Sequence, residues 1–508
     1  MKKRASILFV SAMATVTLVV LTVASCKKNG DKIRNDQPVR AAAASCDTCT
    51  YANVDTLRGV ITVDRTLNCN TIYYLDGLVY VSNNKTLTIQ PGTIIYGLPG
   101  NLTSNPRIPG GGLIITKGSK INAVGTESCP ITFTSYRDGS GTPASGDWSG
   151  VVLLGQAPTN NGTTNIVEGV PSNPPADATY GGNIDNDNSG TLKYVVIKYA
   201  GFALSDNNEI NGLTMAGVGC GTTIDYVEVF KANDDAFEWF GGTVNASHLI
   251  AVDPLDDMFD FDNAYRGHIQ FALGLADQSR ADQSTSNGIE SDNNAGGTVT
   301  TIETRPVISN MTLIGYADST LANSTNRGRG NHWRRNTGFM LQNSIVMGFK
   351  EGLLLDGNLS QEKYLAAYSS GKVRDSLKRN LVHAYNGTTA SFVTNGPYTT
   401  AQFNTRALLV SSIDCGDTLF QENLRYTGLN SNAGILLTNP YVRSTTGFYR
   451  PQSTSPAVST TTANVGFTSC ALPGLPNPCS YSFGTVNYVG AFSSSAGSDW
   501  AVNWAIFE

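Results

Sequence analysis

Asn233-Asp-Asp-Ala-Phe-Glu-Trp-Phe240 and Leu255-Asp-Asp-Met-Phe-Asp-Phe-Asp262 are two copies of one pattern, with Asp234 and Asp256 22 residues apart. After each acidic pair, apolar and polar side chains alternate, which is the period of a strand with one buried face. One turn of a parallel β-helix needs about this much chain: three short strands and their bends, stacked so that inward side chains form the core. A β-sandwich would instead carry hairpin signals between neighbouring strands.

The same texture extends outward from this repeat, from about residue 55 to 358. Short runs of Val, Ile, Leu, Phe and Tyr are separated by Gly, Asn, Asp and Thr, and charged residues make up only 15% of the chain. Leu87–Gly97, Gly112–Gly118 and Pro130–Ser135 are strand-sized, and Leu192–Tyr199 aligns with Ile224–Phe230. We therefore expect an all-β parallel solenoid over 55–358. Residues 359–481 depart from the repeat and are read as a less regular, partly helical insertion. Val373, Leu377 and Leu381, at i, i+4 and i+8, predict a short helix over 372–384. Residues 482–508 are expected to return as strands or as a cap over an exposed solenoid end.

The N-terminus carries a different signal. Lys2, Lys3 and Arg4 precede an apolar stretch from Ile7 to Val23, then Val23-Ala24-Ser25-Cys26. That order is an export signal over 1–25 with a bacterial lipobox, in which Cys26 takes a diacylglycerol. Four Ser and Thr residues interrupt the stretch, which disfavours a spanning helix. Residues 26–54 are read as lipidated cysteine and tether, making the membrane a partner through its lipid. Loss of the signal leaves 32 basic against 40 acidic residues. Such a mildly acidic surface argues against nucleic acid.

Beyond Cys26 there are cysteines at 46, 49, 69, 129, 220, 415, 470 and 479. Their number suits disulfides outside the cytoplasm, with the pairing unreadable. Cys46-Asp-Thr-Cys49 has redox spacing, yet without a second CxxC or a His pair it reads as a structural bridge near the N-terminal edge.

Leu87–Gly97, Gly146–Gly155, Ala232–Gly242, Phe259–Gly267 and the terminal Tyr488–Phe492 with Trp500 and Trp504 resemble a family of secreted and surface lipoproteins of Bacteroidota. That resemblance implies a right-handed, pectate-lyase-like parallel β-helix and a cell-envelope location, and it carries no settled activity; we expect an outer-membrane lipoprotein.

The chain lacks the GxSxG, HExxH and GxxxxGK[ST] signatures, and its four histidines share no ligand spacing. The constellation above background is acidic. Asp234, Asp235, Asp256, Asp257, Asp260 and Asp262 would come together if consecutive turns stack, and carboxylates so close call for a cation or a basic partner. Calcium suits such oxygen-rich sites. Glu238, on the same side as Ala236 and Phe240, is left out of this ligand set. The same residues also suit bends and side-chain ladders that need no ion. In β-helix lyases an Arg or Lys acts as base beside calcium, and Arg266 is the nearest here.

A second cluster, Arg327-Gly-Arg-Gly-Asn-His-Trp-Arg-Arg335, offers Arg327, Arg329, Arg334 and Arg335 as carboxylate forks and Trp333 as a ring platform for acidic sugars. Trp239 is a second platform candidate, against a core reading from its alternation with Glu238. A solvated loop is the plain alternative for the arginine run. Two functions remain open: a non-catalytic surface module that binds glycans or envelope partners, and a calcium-dependent polysaccharide lyase or glycoside hydrolase.

Overall fold

The computed structural model describes Cys46 and residues 49–507, apart from 207, 283–284, 325, 367–374, 409–411, 415–416, 420–421, 445–446 and 459–478. The signal, Cys26, Val373, Cys415 and Cys470 therefore lie outside the described residues.

The repeat builds what its period demands. Gly150–Leu154, Leu213–Ala216, Phe237–Phe240, Phe259–Asp262, Asn287–Ser291, Arg329–Trp333 and Glu351–Asp356 stack in that order, all parallel. Phe237 pairs with Phe259 and Trp239 with Phe261, at the 22-residue offset of the sequence. Their rings point inward, with centroids 5.5 Å and 4.8 Å apart, and none touches solvent. Stacked rings of this kind add about 0.5–1.5 kcal/mol per pair beyond their burial.

The other two faces of the solenoid come from longer strands that bend. Gly190–Lys198, Thr223–Phe230, Asn245–Val252, His268–Leu275 and Val307–Ile314 also stack in parallel. Each turns its corner at one left-handed residue: Tyr194, Tyr226, His248, Phe271 and Asn310, with φ between 51° and 59°. Bulky residues rarely hold this conformation, which costs of order 1–3 kcal/mol each. Here the bend aligns the side chains so that Tyr194, Tyr226, His248 and Phe271 stack at 4.5, 4.1 and 5.1 Å.

Three expectations change. The coils run past residue 358, since Ser376–Lys378, Leu381–Ala384, Phe392–Asn395 and Leu424–Tyr426 continue the same stacks. The helix expected over 372–384 is two strands where it is described. Leu377 and Leu381 share their spacing because they sit on either side of a bend, stacked on Leu341 and Ile345. The described helices of this region lie elsewhere, at Asn358–Leu365 and Thr400–Ala407. Residues 479–507 contain no strand among those described. They run as a strap along the outer side of the bent strands, where Gln270 holds Gly484, Asn310 holds Tyr488 and Gly490, and Thr312 holds Ala491.

Disulfides join Cys46 to Cys129, Cys49 to Cys69 and Cys220 to Cys479. The CxxC cysteines thus bond to two different turns rather than to each other, as a structural role requires. No helix among the described residues is long and apolar enough to cross a membrane.

Candidate functional site

The acidic repeats do stack. At the corner entering the Phe237–Phe240 face, Asn211 Oδ1 accepts the N–H of Asp235 (3.1 Å), Asp235 Oδ1 accepts the N–H of Asp257 (2.8 Å), and Asp257 Oδ1 accepts the N–H of Asn287. This is a side-chain ladder along the solenoid, so Asp235 and Asp257 each commit one oxygen to the fold. On the outer side of the strands, Thr214, Glu238, Asp260, Glu290 and His332 occupy one register row. Rungs of a sheet are about 4.8 Å apart, so this row sets three carboxylates at about that interval.

Glu238 therefore belongs with the group it was excluded from. Its outward direction, like that of Phe240, is the direction of Asp260. Ligand oxygens of Asp234, Asp235 and Asp256 lie within 4.8 Å of one another, and so do those of Asp235, Glu238 and Asp260. Asp262 continues the outer side one step along, paired with Phe240. The long connection 155–189, whose Val167, Val170, Ala178 and Tyr180 cover the preceding apolar turns, carries Glu168 to the same place. Glu168 Oε1 stands 3.5 Å from Asn211 Nδ2, whose other contact is Glu238.

Burial raises the pKa of Asp234, Asp235, Glu238, Asp257 and Asp260 well above the carboxylate range, and neighbouring carboxylates raise them further. Asp262 is pushed up to about 7, first by burial and then by Asp292. Asp260 Oδ1 is closed off from solvent and meets no hydrogen-bond donor. An orphaned buried oxygen costs about 1–3 kcal/mol.

The arginine run is not a solvated loop. Arg327 is fully buried, and its guanidinium donates to the carbonyls of Asn287 and Pro254 beneath the acidic corner. Arg334 pairs with Glu290 and Asp292, and Arg335 with Asp292 (3.0 Å), which neutralises the far end of the row. Arg329 pairs with Glu351 (3.2 Å) on the neighbouring turn. His332 bridges Asp356 (3.0 Å) and Glu290 (3.5 Å). Arg327 cannot be a sugar fork because its guanidinium is fully buried, whereas Arg329, Arg334 and Arg335 are partly exposed ion pairs. Trp239 and Trp333 are core residues with no exposed surface, so neither is a sugar platform. Trp333 stacks on Phe339 at 4.8 Å.

Arg266 does not face the carboxylates. It leaves the strand Phe259–Asp262 toward the next bend, is mostly buried, and pairs with Asp185 at 3.2 Å. Burial lowers its pKa, an effect Asp185 opposes.

Glu238 was legible, since the 22-residue offset sets it on Asp260. Glu290 lies 30 residues beyond Asp260, across a longer connection that breaks the spacing. Glu168 arrives from a connection with no repeat at all, and no local signal marks it.

A family model described as a pectate-lyase like beta helix domain matches residues 59–409. No curated protein and no solved structure matches the chain. With that match over more than half its length, and with parallel coils stacked from Asn53–Ile61 to Leu424–Tyr426, the chain belongs to the pectate-lyase-like β-helix domain family.

Proposed function

We propose that this is a lipid-anchored β-helix of the cell envelope, attached to the outer membrane through Cys26 and serving as a non-catalytic binding module for glycans or envelope partners. The observation that carries the non-catalytic part is the engagement of Arg266 with Asp185, away from the carboxylate row. A lyase needs its base free beside the acidic site. The corner and the row together are read as a calcium site, held by Asp234, Asp235 and Asp256 and by Asp235, Glu238 and Asp260, with Asp257 and Asp262 adjoining. The orphaned Oδ1 of Asp260 and the mutual repulsion of the buried carboxyls around it support that reading. A bound divalent ion would return these carboxylates to their ionised form and fix Glu168, with its connection, over the row.

The test is an unsaturated-product absorbance screen of the wild-type protein across acidic polysaccharides, with and without calcium. No product is expected in either condition. Product formation that Arg266→Ala abolishes would overturn the reading in favour of a calcium-dependent lyase.

A further inference from the structure

The left-handed corner of the bent strands continues beyond Phe271 through Asn310, Asn343, Arg379 and Glu422, with φ between 47° and 55°. The strand registers set these residues one above the other on consecutive turns. The chemistry of the row changes along its length. Where it is aromatic, the strap packs against it: Trp504 stands edge-on to Tyr194 and Tyr226, and Trp500 to Tyr226 and His248. Where it ends in Arg379 and Glu422, the strap leaves a cavity of about 150 Å³ that opens to solvent. On the cavity wall Arg379 Nε donates to Glu422 Oε2 at 2.9 Å, and both side chains keep part of their surface in water. Leu381, Leu424, Pro456 and Val489 supply apolar lining, and Asn343 and Asn487 add amides. The walls are tied together by hydrogen bonds. Asn310 Nδ2 donates to the Tyr488 carbonyl at 3.1 Å, the Gly490 N–H to the Asn343 carbonyl at 2.7 Å, and the Val489 N–H to the Ala457 carbonyl at 2.9 Å. The cavity therefore stands ready before any ligand arrives, which spares binding the cost of ordering it.

We propose that this cavity holds the end residue of a neutral glycan, a single hexopyranose ring; the assignment rests on the glycan-binding reading and deepens it. Size sets the first limit, because a cavity of about 150 Å³ takes one six-membered ring and little more. Charge sets the second. Arg379 and Glu422 cancel one another, so an anionic sugar meets repulsion from Glu422 and a cationic one from Arg379, whereas a neutral ring disturbs neither. Vicinal hydroxyls match a guanidinium beside a carboxylate: one hydroxyl donates to the carboxylate, its neighbour accepts from the guanidinium, and both bonds are charge-assisted. A pyranose also carries C–H faces, for which Leu381, Leu424, Pro456 and Val489 offer apolar surface. The remainder of the glycan leaves through the opening into solvent. The site lies at the corner of the bent strands, apart from the carboxylate row, and needs no metal.

The experiment is an NMR titration of the methyl-labelled full chain with the α and β methyl glycosides of glucose, galactose and mannose, following the methyls of Leu381, Leu424 and Val489. At least one glycoside should shift these methyls saturably, with a dissociation constant on the order of millimolar, as expected for about a dozen heavy atoms. A disaccharide ending in the same residue should bind as well, and its exclusion would overturn the chain-end assignment. Glu422→Gln should weaken binding on the order of tenfold, because a charge-assisted bond becomes a neutral one. Its melting curve is recorded alongside, and the wild-type shifts locate the site without it. No glycoside shifting these methyls, or a stronger response to methyl glucuronide or glucosamine, would overturn the cavity site. A neutral-polysaccharide array with the same protein separates the two readings: retention there with silent cavity methyls overturns the cavity alone, and no retention overturns the glycan module as well.

Discussion

Asp262 illustrates how a side chain's surroundings turn into a dependence of stability on pH. Its carboxyl is raised from the usual 3.8 to about 7, chiefly by burial and next by Asp292. A group raised in this way stabilises the fold in its protonated form, fully so below 3.8, and that contribution is lost as pH rises through about 7. In chelator, the melting temperature should therefore fall between about pH 5 and about pH 8. Asp262→Asn should remove part of the fall, on the order of 1–3 kcal/mol after allowance for its partial exposure. A melting temperature that rises with pH in chelator would contradict this picture. The arginines act on the same balance from the other side: Arg334 and Arg335 pair with Glu290 and Asp292, and Arg335 pulls Asp262 down against the larger effects of burial and Asp292. Sequence alone located the arginines but not their partners Glu290 and Asp292, and the 42 residues between Asp292 and Arg334 give no local signal.

Among the elements, the ladder Asn211–Asp235–Asp257–Asn287 ties four turns together independently of any ion. Asn211→Ala would leave the Asp235 N–H without its acceptor and free Glu238 from its amide partner. The expected cost is about 1–3 kcal/mol in denaturant unfolding, and a variant as stable as wild type would mean that the ladder is incidental. The alternation of Phe237, Trp239, Phe259 and Phe261 was readable as one buried face because strands have a strict period of two. The 372–384 stretch misled for a related reason. Two strands flanking a bend at Arg379, which has a left-handed backbone, can present apolar residues at i and i+4, as an amphipathic helix does, and only stacking on Leu341 and Ile345 separates the two. The left-handed corners at Tyr194, Tyr226, His248 and Phe271 were likewise hidden, because no glycine or asparagine marks them.

For the whole molecule, the parallel solenoid was legible because a single 22-residue repeat implies stacking, and stacking implies the rest. Disulfide pairing was not, since Cys46 and Cys49 find their partners on different turns at Cys129 and Cys69. Anchoring is a separate matter from the fold. Cys26→Ser should release or mislocalise the protein, and variant protein still fractionating with membranes after signal cleavage would contradict the lipid tether. The account turns on the carboxylate row as a cation site that stabilises the solenoid, because an ion that binds the folded chain and not the unfolded one raises apparent stability by mass action. The most direct measurement is the melting temperature of the wild-type protein and of Asp260→Asn across a calcium titration at neutral pH, with chelator as the baseline. The account predicts a calcium-dependent rise in the wild type that Asp260→Asn weakens or abolishes; superimposable melting curves with calcium and with chelator would contradict it and leave the carboxylates as residues of the corner and ladder alone.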